Sequence, residues 1–96
     1  MTMNKYKIQR TTKFKKSYKK LITKQGYDEK EFKKVIEMLI NDTILPEKYH
    51  NHLLEPKKNG IWECHIKPDW LLVYMKDKNT LILLLVDTGS HSDLFK

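Results

Sequence analysis

The sequence predicts an α+β fold in which a helical hairpin packs on a small antiparallel sheet. Two neighbouring segments of the first half repeat apolar residues with helical spacing, and three segments of the second half are rich in β-branched, aromatic and leucine residues. A chain of 96 residues has the size of one domain with one core. We therefore expect a single domain, residues 1–96, with the element order β-α-α-β-β-β.

The first half begins with a short predicted strand, because residues 6–10 alternate Tyr, Ile and Arg with polar side chains. Thr11 or Thr12 then provides an N-cap for a helix, and Gly26 is suited to end it. Lysines cover the rest of this helix. Its apolar stripe, at i, i+4, i+7 and i+8, consists of Phe14, Tyr18, Leu21 and Ile22.

A second amphipathic helix follows after a short turn. Asp28 with Glu31 three residues later resembles a capping box at its start. Helices joined by so short a turn pack antiparallel, so the pair is expected to cover one face of a sheet. The apolar repeat of the second helix consists of Phe32, Val35, Ile36, Leu39 and Ile40.

Residues 41–58 lack periodicity, and Pro46 and Pro56 oppose regular structure there. This segment contains His50 and His52 and is predicted to be a functional loop.

Residues 61–66, 70–76 and 80–87 are predicted to be three strands. Residues 77–79 form a hairpin turn, and residues 67–69 separate the first two strands. The last strand is apolar without alternation, so we expect both of its faces to be buried.

The composition is strongly basic, with nineteen Lys and Arg against twelve Asp and Glu and a net charge of +7. Such an excess attracts polyanions, which makes nucleic acid or an acidic protein the expected partner. A lysine-rich surface that keeps the protein soluble explains the same composition. On the first helix, Lys15, Lys16 and Lys19 are therefore either a solvated face or phosphate contacts.

Cys64 is the only cysteine, so no internal disulfide is possible, and a reducing compartment fits best. No segment has a signal-peptide pattern or approaches the ~20 apolar residues that a membrane span needs. We expect a cytoplasmic protein without membrane association, with Cys64 in its core.

The histidines, at positions 50, 52, 65 and 91, lie in or beside turn-rich segments, where catalytic groups are held at strand ends. Cleaving RNA without a metal requires a base for the 2′-OH proton, an acid for the leaving 5′ oxygen, and cations. Histidine suits both proton-transfer roles, because its ordinary pKa is about 6.5. Asp69 can orient an imidazole or serve as base, and Trp70 can stack on a nucleobase.

Two other interpretations of the same residues remain open. The histidines can be structural, or they can form a metal site together with Asp69, although no motif such as H-E-x-x-H is present. Cys64 and His65 are neighbours on a strand and point to opposite faces, so they cannot form a nucleophilic pair.

Four segments of the sequence together match the pattern of a known family. They are KFKKSYKKL at residues 13–21, the Leu45-Pro46 loop leading to His52, HIKPDW at residues 65–70, and TGSHSDLF at residues 88–95. With these segments the chain resembles the YafQ-type mRNA interferase toxins of the RelE/ParE superfamily over its whole length.

The resemblance implies an endoribonuclease that enters the ribosomal A site, cuts mRNA and is neutralised by a cognate antitoxin. It implies no cofactor and no metal. Acid–base and transition-state roles would fall on four residues, and the nucleotide pocket would be shaped by two more. The four are His52, His65, Asp69 and His91, and the two are Trp70 and Phe95.

Three points qualify this assignment. Arg10 is the only arginine, so the arginine-rich site of RelE-type relatives cannot be assembled, which favours the histidine branch. The family pattern points to His52 and leaves His50 as the bystander. A ParE-like inhibitor of DNA gyrase shares the fold and is the alternative function, but it has no need of acid–base residues.

Overall fold

The structure is a computed structural model and describes residues 5–55 and 60–94. Helices α1 and α2 cover one face of a five-stranded sheet whose order is β1-β5-β4-β3-β2. The predicted α+β class and helical hairpin are thus confirmed. The strands are β1 (Lys7–Arg10), β2 (His52–Glu55), β3 (Ile61–Lys67), β4 (Trp70–Asp77) and β5 (Ile82–Gly89), and the helices are α1 (Thr12–Lys24), α2 (Glu29–Ile40) and α3 (His91–Leu94).

The caps of the two long helices follow the sequence closely. The Thr11 hydroxyl accepts a hydrogen bond from the Phe14 N–H at 2.9 Å and donates one to the Val86 carbonyl at 2.6 Å. Asp28 caps α2 by accepting from the Lys30 N–H. Gly26 has φ +67°, the left-handed conformation that a residue after a helix end commonly adopts. The hydrogen bond from Thr11 to Val86 fixes the first turn of α1 to β5.

Strand β2 lies in the segment that the sequence predicts to be a loop, so that prediction was wrong for residues 52–55. It is an edge strand of the described sheet and pairs with β3, with His52 opposite Glu63 and an irregular register between Leu53 and Glu55. Four residues with a bulge carry no period-2 pattern, and the strand forms because β3 offers it hydrogen-bonding groups. A 3₁₀ turn, Glu47–Tyr49, precedes it.

The sheet is mixed rather than antiparallel throughout, because β1 runs parallel to β5. The other neighbours, from β2 to β5, pair antiparallel as predicted. A hairpin connection fixes the direction of strands adjacent in sequence, but most of the chain separates β1 from β5. The direction of β1 therefore depends on packing.

The core lies between the helices and one face of the sheet. Leu83 and Leu85 of β5 are 0% and 2% exposed, whereas Ile82, Leu84 and Val86 on the other face are only partly buried. The prediction that both faces of this strand are buried was therefore wrong. Cys64 lies in the core as expected, and burial raises the pKa of its thiol to about 12. Among the described residues, no helix is long and apolar enough to cross a membrane.

Candidate active site

One end of the sheet collects the segments that carry the histidines. The first residue of β2, His52, pairs with Glu63 in β3, and Leu71 at the start of β4 pairs with Gly89 at the end of β5. The antiparallel pairing thus brings the start of β2, the β3–β4 turn and the end of β5 together. A turn and two strand ends on a rigid sheet form a suitable frame for a catalytic site.

His65 lies at the centre of this end of the sheet. Its neighbours in β3, Cys64 and Ile66, belong to the buried core, and the His65 ring itself is only partly buried. The centroid of its ring lies 5.2 Å from that of His50 and 5.6 Å from that of His91. We call His50, His65 and His91 the imidazole cluster.

The environment of His65 favours its neutral form. Burial lowers the pKa of this imidazole from its ordinary value, while Glu63 acts in the opposite direction and the neighbouring rings of His50 and His91 lower the pKa further. A neutral imidazole keeps a lone pair that can accept a proton, so His65 suits the role of general base.

Asp69, in the turn between β3 and β4, contacts His91. Its Oδ1 lies 3.5 Å from Nδ1 of the His91 ring and 3.4 Å from the backbone nitrogen of the same residue. A carboxylate at one ring nitrogen orients an imidazole and selects its tautomer. The structure therefore brings together three of the four predicted catalytic residues: His65, Asp69 and His91.

His91 is the first residue of α3, and its position depends on a small network around the helix start. The Ser90 N–H donates to Asp93 Oδ2 at 3.0 Å, and the Asp93 N–H donates to Ser90 Oγ at 3.2 Å. Gly89 permits this arrangement, since a Cβ there would lie 2.9 Å from Cβ of Asp93. The Thr-Gly-Ser-His segment thus holds His91 through local contacts.

His50, expected to be a bystander, belongs to the imidazole cluster. It has φ +46°, and the residues on either side of it are anchored. Tyr49 is 2% exposed and donates its hydroxyl to Glu31 at 3.3 Å, while the Tyr74 hydroxyl donates to Asn51 Oδ1 at 2.5 Å. The sequence does not reveal this placement, because it depends on a left-handed residue after a 3₁₀ turn.

His52 lies beside the cluster and makes different contacts. Its Nδ1 donates to the His50 carbonyl at 2.8 Å, and its Nε2 lies 3.4 Å from Oε1 of Glu63. Glu63 is 4% exposed and is not among the residues predicted from the sequence. The available signal was an acidic residue two positions before His65 in a strand, which places both side chains on the same face.

Two residues were predicted to shape the nucleotide pocket, Trp70 and Phe95. Trp70 is 1% exposed, packs against Tyr27 and Phe32, and donates its indole N–H to the Thr88 hydroxyl at 2.8 Å. The Trp70 ring lies in the core between sheet and helices, which argues against the predicted stacking on a base. Phe95 lies outside the described residues.

Several lysines lie where they can meet a polyanion. Helix α1 begins at the same end of the sheet as the histidines. It carries three exposed lysines, Lys15, Lys16 and Lys19. Lys48 and Lys67 line a groove that also contains His50 and His65. These two lysines were not singled out from sequence, because only the fold brings them to the cluster.

Comparisons with known proteins agree with this geometry. The family model described as a bacterial toxin of a type II toxin–antitoxin system, YafQ, matches residues 6–96. The mRNA interferase toxin YafQ of Escherichia coli K12 is 36% identical in an alignment 93 residues long that covers 92% of this chain and 98% of that protein.

Two solved structures extend the similarity to the fold. The crystal structure of the E. coli DinJ-YafQ complex matches with a TM-score of 0.84 and 33% identity, over 95% of this chain and 99% of that one. A metal-bound toxin from Helicobacter pylori matches with a TM-score of 0.87 and 42% identity, over 94% and 99%. In residues 5–55 and 60–94 of this chain, no group of three or more His, Cys, Asp and Glu side chains is arranged to hold a metal. The chain belongs to the YafQ family of bacterial toxins of type II toxin–antitoxin systems.

Proposed function

We propose that this toxin is an endoribonuclease that cleaves mRNA on the ribosome by attack of a ribose 2′-OH on the adjacent phosphate. The observation that carries the proposal is the imidazole cluster with Asp69 at one end of the sheet. The relatives named mRNA interferase support the same activity. The products would be a 2′,3′-cyclic phosphate or 3′-phosphate and a 5′-hydroxyl.

The proton-transfer roles follow from the surroundings of each ring. His65 takes the 2′-OH proton, because its lowered pKa keeps it neutral near pH 7. His91, oriented by Asp69, donates a proton to the leaving 5′ oxygen. His52 stabilises charge on the phosphate during the reaction. Aligned acid and base groups contribute about 10²- to 10⁴-fold to such a rate.

The binding of RNA is assigned to lysines around the site. Lys48 and Lys67 lie in the groove beside the cluster and are suited to hold the phosphates next to the scissile bond. Lys15, Lys16 and Lys19 would contact ribosomal RNA from the outer face of α1. The resemblance also assigns Phe95 to nucleotide binding.

A cognate antitoxin is the proposed protein partner, as DinJ is for YafQ in the E. coli complex. The net charge of +7 suits an acidic partner segment. Such a partner would act by covering the end of the sheet that carries the imidazole cluster.

Expression of the toxin in cells without its antitoxin tests the proposed function. mRNA 5′ ends are mapped by primer extension beside a His91→Ala/Asp69→Ala double variant, with Ser92→Ala as an exposed control from the same segment. We expect new in-frame breaks with wild type and the control, and none with the double variant. Growth arrest with intact mRNA would contradict the proposal and favour a protein target such as gyrase.

A further inference from the structure

His52 has an acceptor at each of its ring nitrogens. The His50 carbonyl, 2.8 Å from Nδ1, can only accept a hydrogen bond, so Nδ1 carries a proton. At Nε2 the neighbour is Oε1 of Glu63, 3.4 Å away. An ionised carboxylate also only accepts, so a neutral His52 with its proton on Nδ1 would place the lone pair of Nε2 beside an anionic oxygen. The imidazolium form keeps the hydrogen bond from Nδ1 to the His50 carbonyl and places a positive charge 3.4 Å from Oε1 of Glu63.

A positive charge next to Glu63 would stabilise its buried carboxylate. Its side chain is 5% exposed, and its Oε2 is a buried oxygen without a hydrogen-bond partner in the described part of the chain. Burying a carboxylate is unfavourable unless a cation or several hydrogen bonds compensate for the lost water. His52 lies across the strand pair from it, and His65 lies two residues along β3.

The two histidines beside Glu63 are in different situations. His65 is partly buried between the rings of His50 and His91, whereas the His52 side chain is 48% exposed and has Nε2 3.4 Å from the carboxylate of Glu63. A charge on His52 is therefore hydrated on one side and paired on the other. A charge on His65 would meet two further imidazoles.

We propose that Glu63 is a positioning residue that holds His52 as a doubly protonated imidazolium. His52 then acts as a fixed cation beside the RNA phosphate and does not transfer protons. This inference rests on the proposed nuclease function. It assigns the roles of general acid and general base to residues of the imidazole cluster alone. Glu63 opposes the lowering of the His65 pKa by burial, but its main role in the reaction is to hold His52, and it does not touch the substrate.

The ring nitrogens of His52 report its state directly. In the purified toxin with ¹⁵N-labelled histidine at pH 7, we expect imidazolium shifts at both nitrogens of His52. Glu63→Gln should convert His52 to the neutral tautomer with the proton on Nδ1. Wild-type His52 with an unprotonated Nε2 would overturn the inference. Because this measurement needs no RNA, its failure is separate from failure of the nuclease proposal.

Two substitutions of His52 test its role in cleavage. His52→Arg keeps the charge and His52→Gln removes it, with matched folding checked by circular dichroism. If His52 is a cation, the Arg variant should stay within about tenfold of wild type, and the Gln variant should fall by about a hundredfold or more. Both limbs of the pH–rate profile should persist in the Arg variant. If both variants fold and lose the same cleavage rate, and one limb is missing from the pH–rate profile of the Arg variant, the inference is overturned. If either variant misfolds, the ¹⁵N shifts of His52 in the wild type and in Glu63→Gln decide.

Discussion

Gly89 and Asp93 lie so close together that no side chain fits at position 89. A Cβ built on Gly89, whose φ is +155°, would lie 2.9 Å from Cβ and 3.0 Å from Oδ2 of Asp93. The same Asp93 carboxylate accepts the hydrogen bond from the Ser90 N–H. The absence of a side chain at Gly89 is thus linked to the position of the neighbouring His91.

Gly89→Ala should therefore displace the start of α3 and reduce cleavage more than it reduces stability. A loss of stability of about 1–3 kcal/mol is expected from the steric conflict. The control is Gly26→Ala, which is strained by its φ of +67° but has nothing within 4 Å of the new Cβ. It should lower stability without reducing the cleavage rate of the folded protein. Equal activity of both variants would show that the close approach of Gly89 and Asp93 does not position His91.

The lowered pKa of His65 predicts a pH dependence of stability with a definite sign. The folded protein binds a proton at the His65 imidazole more weakly than the unfolded chain does, where the pKa of this ring is near 6.5. The contribution of His65 to the free energy of unfolding is complete above that value and is lost as the pH falls towards the folded pKa. The wild type should thus lose more stability than His65→Gln between pH 7 and 5. A midpoint at or above 6.5 in an NMR titration of the His65 ring would contradict this.

The burial of Trp70 predicts that its substitution affects folding rather than RNA binding. Trp70→Ala should cost about 3–5 kcal/mol in the free energy of unfolding, because it leaves a large cavity. Trp70→Phe keeps most of the volume and removes the hydrogen bond to Thr88. In this variant KM for cleavage should equal that of wild type, while urea denaturation shows reduced stability. A raised KM with unchanged stability would restore the base-stacking role.

The lysines of α1 predict a change in the salt dependence of ribosome binding. Replacing Lys15, Lys16 and Lys19 by Gln should weaken binding and reduce the slope of log affinity against log salt by about 1 for each phosphate that these side chains neutralise. The matched control replaces three lysines of the other helix, α2, and removes the same charge. If both triple variants reduce the slope equally, the basic surface acts only through net charge. The control positions are Lys30, Lys33 and Lys34.

The helices could be predicted from sequence because each signal for them is local. The apolar stripes of α1 and α2 repeat with helical spacing, and Thr11 and Asp28 cap them as their side-chain chemistry requires. Strand β2 could not be predicted, since an edge strand with a bulge takes its register from β3. The parallel direction of β1 could not be predicted either, because it depends on contacts with β5, which is distant in the sequence.

The site could be predicted by residue type but only partly by arrangement. His65, Asp69 and His91 lie together as expected, because strand ends next to turns meet at one end of an antiparallel sheet. Period-2 alternation gives the two faces of a strand without saying which is buried, so it does not predict that the Trp70 ring lies in the core. The contacts of His50 and Glu63 depend on a left-handed residue and a cross-strand pair. The left-handed residue has no signature in the sequence, and the spacing of Glu63 and His65 predicts only that they share a face of β3.

The most direct test of the central claim uses one atom of the substrate. An mRNA carrying a single 2′-deoxynucleotide at a mapped cleavage position is translated in vitro with the toxin, beside the all-ribose mRNA. The mechanism predicts that cleavage disappears at that position alone and that the all-ribose fragment ends in a 2′,3′-cyclic phosphate or 3′-phosphate. Cleavage of both mRNAs at the same rate, with 3′-hydroxyl ends, would contradict attack by the 2′-OH and the assigned roles of His65 and His91.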